Sequence, residues 1–111
     1  MQECLFCRII KGEIPSEKVY EDENLYAFKD INPKAPVHLL IIPKKHYATL
    51  NDLPDAEMGV IAEIHCVIKK LAAEFGVAES GYRVLANVNK DGGQVVYHVH
   101  YHLIGGRQLR V

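Results

Sequence analysis

The chain has 111 residues, 49% hydrophobic and 24% charged, with a formal net charge of -1. That length suits one domain, able to bury a core without disulfide staples. The charge balance lacks the basic field that non-specific nucleic-acid binding requires, yet leaves room for a single bound nucleotide.

Residues 5–11 (LFCRIIK) form a predicted short helix, stopped by Gly12 with Pro15 beyond it. Val19–Tyr20 and Leu25–Asp30 form two predicted strands of a hairpin across the polar turn Glu21–Asn24. Val37–Pro43 is a third strand, and its continuous Leu39–Ile42 run predicts burial on both faces. A long helix is expected from an Asp52 cap to about Phe75, ended by Gly76. Its stripe is Met58, Ile61, Ile64, Ile68, Leu71 and Phe75. Cys66 is expected to fill core there and His65 to lie on the surface. Tyr82–Val88 is a fourth strand, Asn89–Gln94 a loop around Asp-Gly-Gly, and Val95–Ile104 the last strand, closed by Gly105–Gly106. The sum is an α+β domain, 1–111, built on a five-stranded antiparallel meander with one long and one short helix. Its last strand is expected to form an exposed edge in need of cover.

The opening MQECLFCRII has neither a basic region nor a long apolar core, so no secretory signal is expected. The longest apolar run, Leu39–Pro43, is far shorter than a membrane span. Three cysteines, an odd number, do not suggest a disulfide framework. The reading is a reduced, cytoplasmic protein with no membrane and no nucleic acid among its partners.

The placement of the histidines carries the chemistry. His98, His100 and His102 alternate with Val99, Tyr101 and Leu103. In a strand, alternate residues share a face, which sets the three imidazoles in a row about 6.6 Å apart. A neutral imidazole can be a nucleophile, a proton donor or acceptor near neutrality, or a metal ligand. The competing reading is an exposed strand face that happens to carry histidines.

The segment QVVYHVHYHLIGGRQL resembles the signature of the histidine triad (HIT) superfamily, and Gly105-Gly106-Arg107 resembles its HINT branch. The likeness extends to Cys4-x-x-Cys7, Ile14-Pro15, Phe28-Lys29-Asp30-Ile31, Pro36-Val37-His38, Ile42-Pro43-Lys44-Lys45-His46, and Asn87 ahead of Asp91-Gly92-Gly93. The resemblance implies that His100 attacks the α-phosphorus of a purine nucleotide derivative, forming a nucleotidyl-histidine that water resolves. It assigns His38 and His102 to the phosphate and to the tautomer of the nucleophile. Asn87 becomes a phosphate contact, Asp30 the ribose contact, and Phe6, Ile9, Ile14 and Phe28 the slot for the base. Gly92 and Gly93 suit a close approach of backbone N–H groups to a phosphate, independently of any family. The implied reaction is hydrolysis of the P–N bond in an AMP or GMP derivative, by a homodimer with a continuous sheet, without a metal in the chemistry.

Two departures stand out. Val95 occupies a position where the HINT branch commonly has serine near the leaving group, so only the backbone N–H of residue 95 remains there. The chain also stops at Arg110-Val111, where many relatives continue. Cys4-x-x-Cys7 is half a zinc site by spacing. The resemblance to zinc-binding bacterial members implies His46 and His98 as the other ligands, with zinc in a structural role. Rival readings are a dinucleoside polyphosphate hydrolase using the same His100, a nucleotide-binding regulatory module with weak catalysis, and a zinc-dependent fold with no nucleotide site.

Overall fold

The computed structural model describes residues 4–110. Helix α1 is Leu5–Ile10, followed by β1 (Lys18–Glu21), β2 (Leu25–Lys29) and β3 (Val37–Pro43). Two short 3-10 turns, Leu50–Asp52 and Asp55–Glu57, lead into helix α2 (Gly59–Glu74), then β4 (Tyr82–Leu85) and β5 (Tyr101–Gly105). The five strands form one antiparallel sheet in the order β1-β2-β3-β5-β4. The first three strands are a meander, whereas β5 inserts between β3 and β4. The last strand is therefore interior, and the edges are β1 and β4, a correction to the expected exposed last edge.

Strand β3 is buried on both faces, as its unbroken apolar run predicts. Its Leu39 and Ile41 pack with Leu25, Ala27 and Leu103 against Ile64, Ile68 and Leu71 of α2. Leu40 and Ile42 pack on the other face with Tyr26 and Phe28 against Phe6 and Ile9 of α1. The alternation of side chains along one strand thus divides two cores, each buried aliphatic side chain contributing about 2 kcal/mol. The α1 face carries the histidines.

Helix α2 begins later than expected. Asp52 does not cap it; its carboxylate accepts from the N–H and hydroxyl of Thr49, each at 3.0 Å, in a capping box of the first 3-10 turn. Pro54 then breaks the path before α2 starts at Gly59. The far end follows expectation: Gly76, at φ +75, turns the chain so that the N–H of Val77 reaches the carbonyl of Ala72 at 2.9 Å. Ile64, Ile68 and Leu71 of the expected stripe are buried, together with Val67 and Ala72, while Met58 is exposed. Cys66 is exposed rather than core, and His65 is exposed as expected.

Strand β4 stops at Leu85, short of Val88, and β5 starts at Tyr101 rather than Val95. Only His102 of the alternating histidines lies in a strand; His98 and His100 belong to the irregular segment ahead of it, with their rings against Phe6 on the α1 side. No described helix is long and apolar enough to cross a membrane.

Candidate active site and metal centre

The segment ahead of β5 is irregular but pinned. The N–H of Val99 donates to the carbonyl of Tyr47 at 2.8 Å, burying Val99 against Tyr47 and Leu53. This holds His98 and His100 on either side of a buried residue. His100 Nδ1 lies 2.7 Å from the carbonyl oxygen of His98. A carbonyl only accepts, so Nδ1 carries the proton and Nε2 carries the lone pair. His100 is buried, and burial outweighs the carbonyl and Asp30 in pushing its pKa below the usual histidine value. A neutral imidazole with Nε2 unprotonated is the form a nucleophile requires. The ring of Phe6 stands edge-on to it, centroids 5.1 Å apart.

His38 and His102 meet diagonally across β3 and β5, where His102 pairs with Leu40 and His38 with Ile104. His38 Nδ1 accepts from the backbone N–H of Lys34 at 3.0 Å, which leaves the proton of the neutral ring on Nε2. That N–H donates to His102 Nδ1 at 2.9 Å, and His102 is in turn protonated at Nε2. Asp30 Oδ2 stands 3.3 Å from His38 Nε2, while Asp30 Oδ1 accepts from the N–H of Asn32 at 2.8 Å. Burial lowers the pKa of His38 against the pull of Asp30, and burial with the neighbouring His100 and His38 pushes His102 down to about 4. The pair is therefore neutral at physiological pH and ordered in one direction, from Lys34 through His38 to His102. The rings of His100 and His102 are 5.1 Å apart, which sets the ordered pair beside His100.

Asp30, His38 and His102 also lie close enough to suggest a metal site. The Lys34 N–H argues against it: with Nδ1 of His38 accepting, Nε2 carries the ring proton and has no lone pair to give.

Asn87, Gly92 and Gly93 form the adjoining loop. Asn87 Nδ2 donates to the carbonyl of Gly92 at 2.7 Å, so one of its two protons is already engaged within the loop. A Cβ on Gly92 would lie 2.4 Å from the carbonyl oxygen of Val88, and Gly93 has φ +79, so both positions require glycine. Sequence reading missed the residue that holds this loop. Gln94 is buried, accepts from the N–H of Asn89 at 2.9 Å, and donates to the carbonyls of Ala48 and Val96 at 2.8 and 3.0 Å. A glutamine beside a glycine pair was its only signal. Phe6, Ile9 and Phe28 are buried together, with Ile14 and Val96 each packed at the margin of that cluster. Val95 is 86% exposed.

Comparison with known proteins agrees with this geometry. A family model described as HIT domain matches residues 11–109. The chain belongs to the HIT family. The purine nucleoside phosphoramidase of Escherichia coli K12 is 46% identical over 108 residues, covering 97% of this chain and 91% of that protein. The crystal structure of a HIT family hydrolase from Legionella pneumophila Philadelphia 1 superimposes with a TM-score of 0.94 at 56% identity, covering 97% of this chain and 96% of that one. A zinc-bound histidine triad family protein from Mycobacterium smegmatis matches with a TM-score of 0.82 at 35% identity, over 95% of this chain and 76% of that one.

This HIT protein brings the four sequence-predicted metal ligands together. Cys4, Cys7, His46 and His98 present their donor atoms within 4.8 Å of one another. His98 Nδ1 lies 3.3 Å from Cys4 Sγ, 3.6 Å from Cys7 Sγ and 3.2 Å from His46 Nδ1, and Cys7 Sγ is 3.4 Å from His46 Nδ1. A tetrahedral zinc, with bonds of about 2.0 Å to nitrogen and 2.3 Å to sulfur, spaces its ligands roughly 3.3–3.8 Å apart. The cluster fits. The ring of His98 is prepared for a cation on that side: Nε2–H donates to the carbonyl of Pro43 at 2.8 Å, leaving the Nδ1 lone pair toward the cysteines. Burial pushes the His98 pKa down to about 4, which keeps the ring neutral. Burial also raises the Cys7 thiol to about 11, with Cys4 adding to it. A bound cation reverses that preference, because a coordinating thiol gives up its proton.

Proposed function

We propose that this HIT protein is a hydrolase that cleaves the P–N bond of purine nucleoside 5′-phosphoramidates, AMP or GMP carrying an amine. The observation that carries the reading is the bond from His100 Nδ1 to the His98 carbonyl, which leaves Nε2 as a buried, unprotonated nitrogen. The printed name of the 46% identical Escherichia coli relative supports the substrate class. Nε2 of His100 attacks the α-phosphorus, the bond from phosphorus to the amine breaks, the amine nitrogen takes up a proton from solvent as it departs, and a nucleotidyl-histidine forms. Water then opens the P–N bond to His100 and releases the nucleoside monophosphate. His102, protonated at Nε2, is a donor for charge that builds on phosphoryl oxygens, and the second amide proton of Asn87 and the N–H of Val95 act in the same way, while the N–H of Gly93 is held by the Lys90 carbonyl at 3.0 Å. Asp30 accepts from the ribose hydroxyls, and Phe6, Ile9, Ile14 and Phe28 flank the base.

Cys4, Cys7, His46 and His98 hold a zinc ion in this reading. When bound, the ion is structural, tying α1 to the residues just before His100. The protein works in the cytoplasm as a homodimer in which the unpaired edge of β4 continues the sheet into a second copy.

The test is AMP release from adenosine 5′-phosphoramidate by the wild type and by His100→Ala. Turnover by the wild type and a fall on the order of 10⁴-fold or more in the variant are expected. Equal rates in the two proteins rule out His100 as nucleophile, and a wild type that binds AMP without turnover rules out the hydrolase reading.

A further inference from the structure

The ordered histidine pair begins at a backbone N–H, and that N–H belongs to a residue gripped from outside the site. Lys34 lies in the connection between β2 and β3, outside the paired residues of either strand. Its N–H donates to His38 Nδ1 at 3.0 Å. Its carbonyl oxygen accepts from Arg107 Nη2 at 2.6 Å. Arg107 follows β5 through Gly106, whose φ of +96 turns the chain toward the same connection. A Cβ on Gly106 would stand 3.0 Å from the ring of Pro36, so the tail and the connection touch at two places. The second Arg107 nitrogen, Nη1, donates to the carbonyl of Gln108 at 3.0 Å, which holds the guanidinium across the tail.

We propose that Arg107 is a positioning residue for the histidine site, setting the tautomers of His38 and His102 by fixing the backbone of Lys34. The physical argument is a count of donors and acceptors. A neutral imidazole has one proton, and the Lys34 N–H forces that proton onto Nε2 of His38. The bond from His38 to His102 passes the same choice on, so that His102 keeps its own proton on Nε2. Without the guanidinium, the Lys34 carbonyl loses its charged partner and the residue is free to turn. A share of the His38 rings can then carry the proton on Nδ1, against the pull of Asp30 Oδ2 at 3.3 Å from Nε2, reversing the bond to His102 and moving the proton of His102 from Nε2 to Nδ1 in that share. The catalytic consequence rests on the phosphoramidate reading, whereas the tautomer consequence does not.

The experiment is nitrogen-15 NMR of the histidine rings at neutral pH in the wild type, Arg107→Ala and Arg107→Lys, with kcat and KM for adenosine 5′-phosphoramidate. In the wild type, His38 and His102 are each expected to be protonated at Nε2 alone. Arg107→Ala is expected to show mixed tautomers at both rings and a kcat lowered about three- to tenfold, the weight of one hydrogen bond, with KM changed less. Arg107→Lys, which keeps a cationic donor, is expected to recover most of both. Unchanged ring tautomers in Arg107→Ala overturn the proposal whatever the rate does. If alanine unfolds the protein, Arg107→Met keeps the length of the stem without its donors and is read by the same spectra. A wild type without turnover refutes the reaction assignment, and the ring-nitrogen spectra still decide the role of Arg107.

Discussion

His98 and His100 are joined by one short bond, from Nδ1–H of His100 to the carbonyl oxygen of His98 at 2.7 Å, while the ring of His98 turns away toward Cys4, Cys7 and His46. One residue therefore serves two sites, its main chain orienting His100 and its side chain completing the cysteine cluster. Phe6 lies between them, with ring centroids 5.9 Å from His98 and 5.1 Å from His100. Disturbing the cluster should reach His100 through these contacts.

Cys7→Ser tests that link. The wild type should carry one zinc per chain by elemental analysis, and the variant none. Losing a ligand that binds only the folded state should lower the melting temperature by about 10 °C or more, since each kcal/mol shifts a domain of this size by several degrees. A metal-free wild type with an unaltered melting temperature in Cys7→Ser contradicts the zinc assignment.

Protonation of His102 gives stability a pH dependence. Its folded pKa of about 4 lies below the ordinary value near 6.5, so the unfolded chain takes up a proton first as pH falls. The contribution is intact above pH 6.5, declines between 6.5 and 4, and falls no further below that. With allowance for the ring's partial exposure to solvent, the loss is on the order of 2 kcal/mol. Urea unfolding at pH 7, 5.5 and 4.5 should give a steeper decline for the wild type than for His102→Gln. Parallel declines count against the burial argument.

Gly92 and Gly93 should respond differently to alanine. At Gly92 the new Cβ meets a backbone oxygen at 2.4 Å, and overpacking of that kind costs about 1–3 kcal/mol, with the loop displaced and turnover lost. At Gly93 the nearest neighbour of a new Cβ is Asn87 Nδ2 at 3.9 Å, so only the positive φ is penalised, by about 1–2 kcal/mol. Denaturant titration with an activity assay separates the two. A larger activity loss at Gly93 than at Gly92 goes against this account.

Val95 is open to solvent, so Val95→Ser should leave stability within about 0.5 kcal/mol. A hydroxyl there can donate to a departing amine. The expected outcome is a higher kcat with amine leaving groups and an unchanged melting temperature. A rate unaltered or lowered in the serine variant removes residue 95 from the leaving-group side.

Local chemistry alone determined a good deal of this protein. The Leu39–Ile42 run announced a strand buried on both faces, Gly76 the end of the long helix, and Cys4-x-x-Cys7 half of a cysteine–histidine cluster with the donor set of a zinc site, because each is written in neighbouring residues. The triad pattern pointed to the family that comparison then established. What local pattern could not supply is how side chains far apart in sequence share hydrogen bonds. Alternation suggested one strand with three histidines in a row, yet the Val99 bond to Tyr47 holds that segment out of the sheet and sends His98 and His102 to different partners. The tautomers of His38 and His102 depend on Lys34, and Lys34 is held by Arg107, 73 residues further along the chain. An imidazole has the same sequence letter whichever nitrogen carries its proton. Only the tertiary structure, by setting a donor or a carbonyl against one nitrogen, decides which.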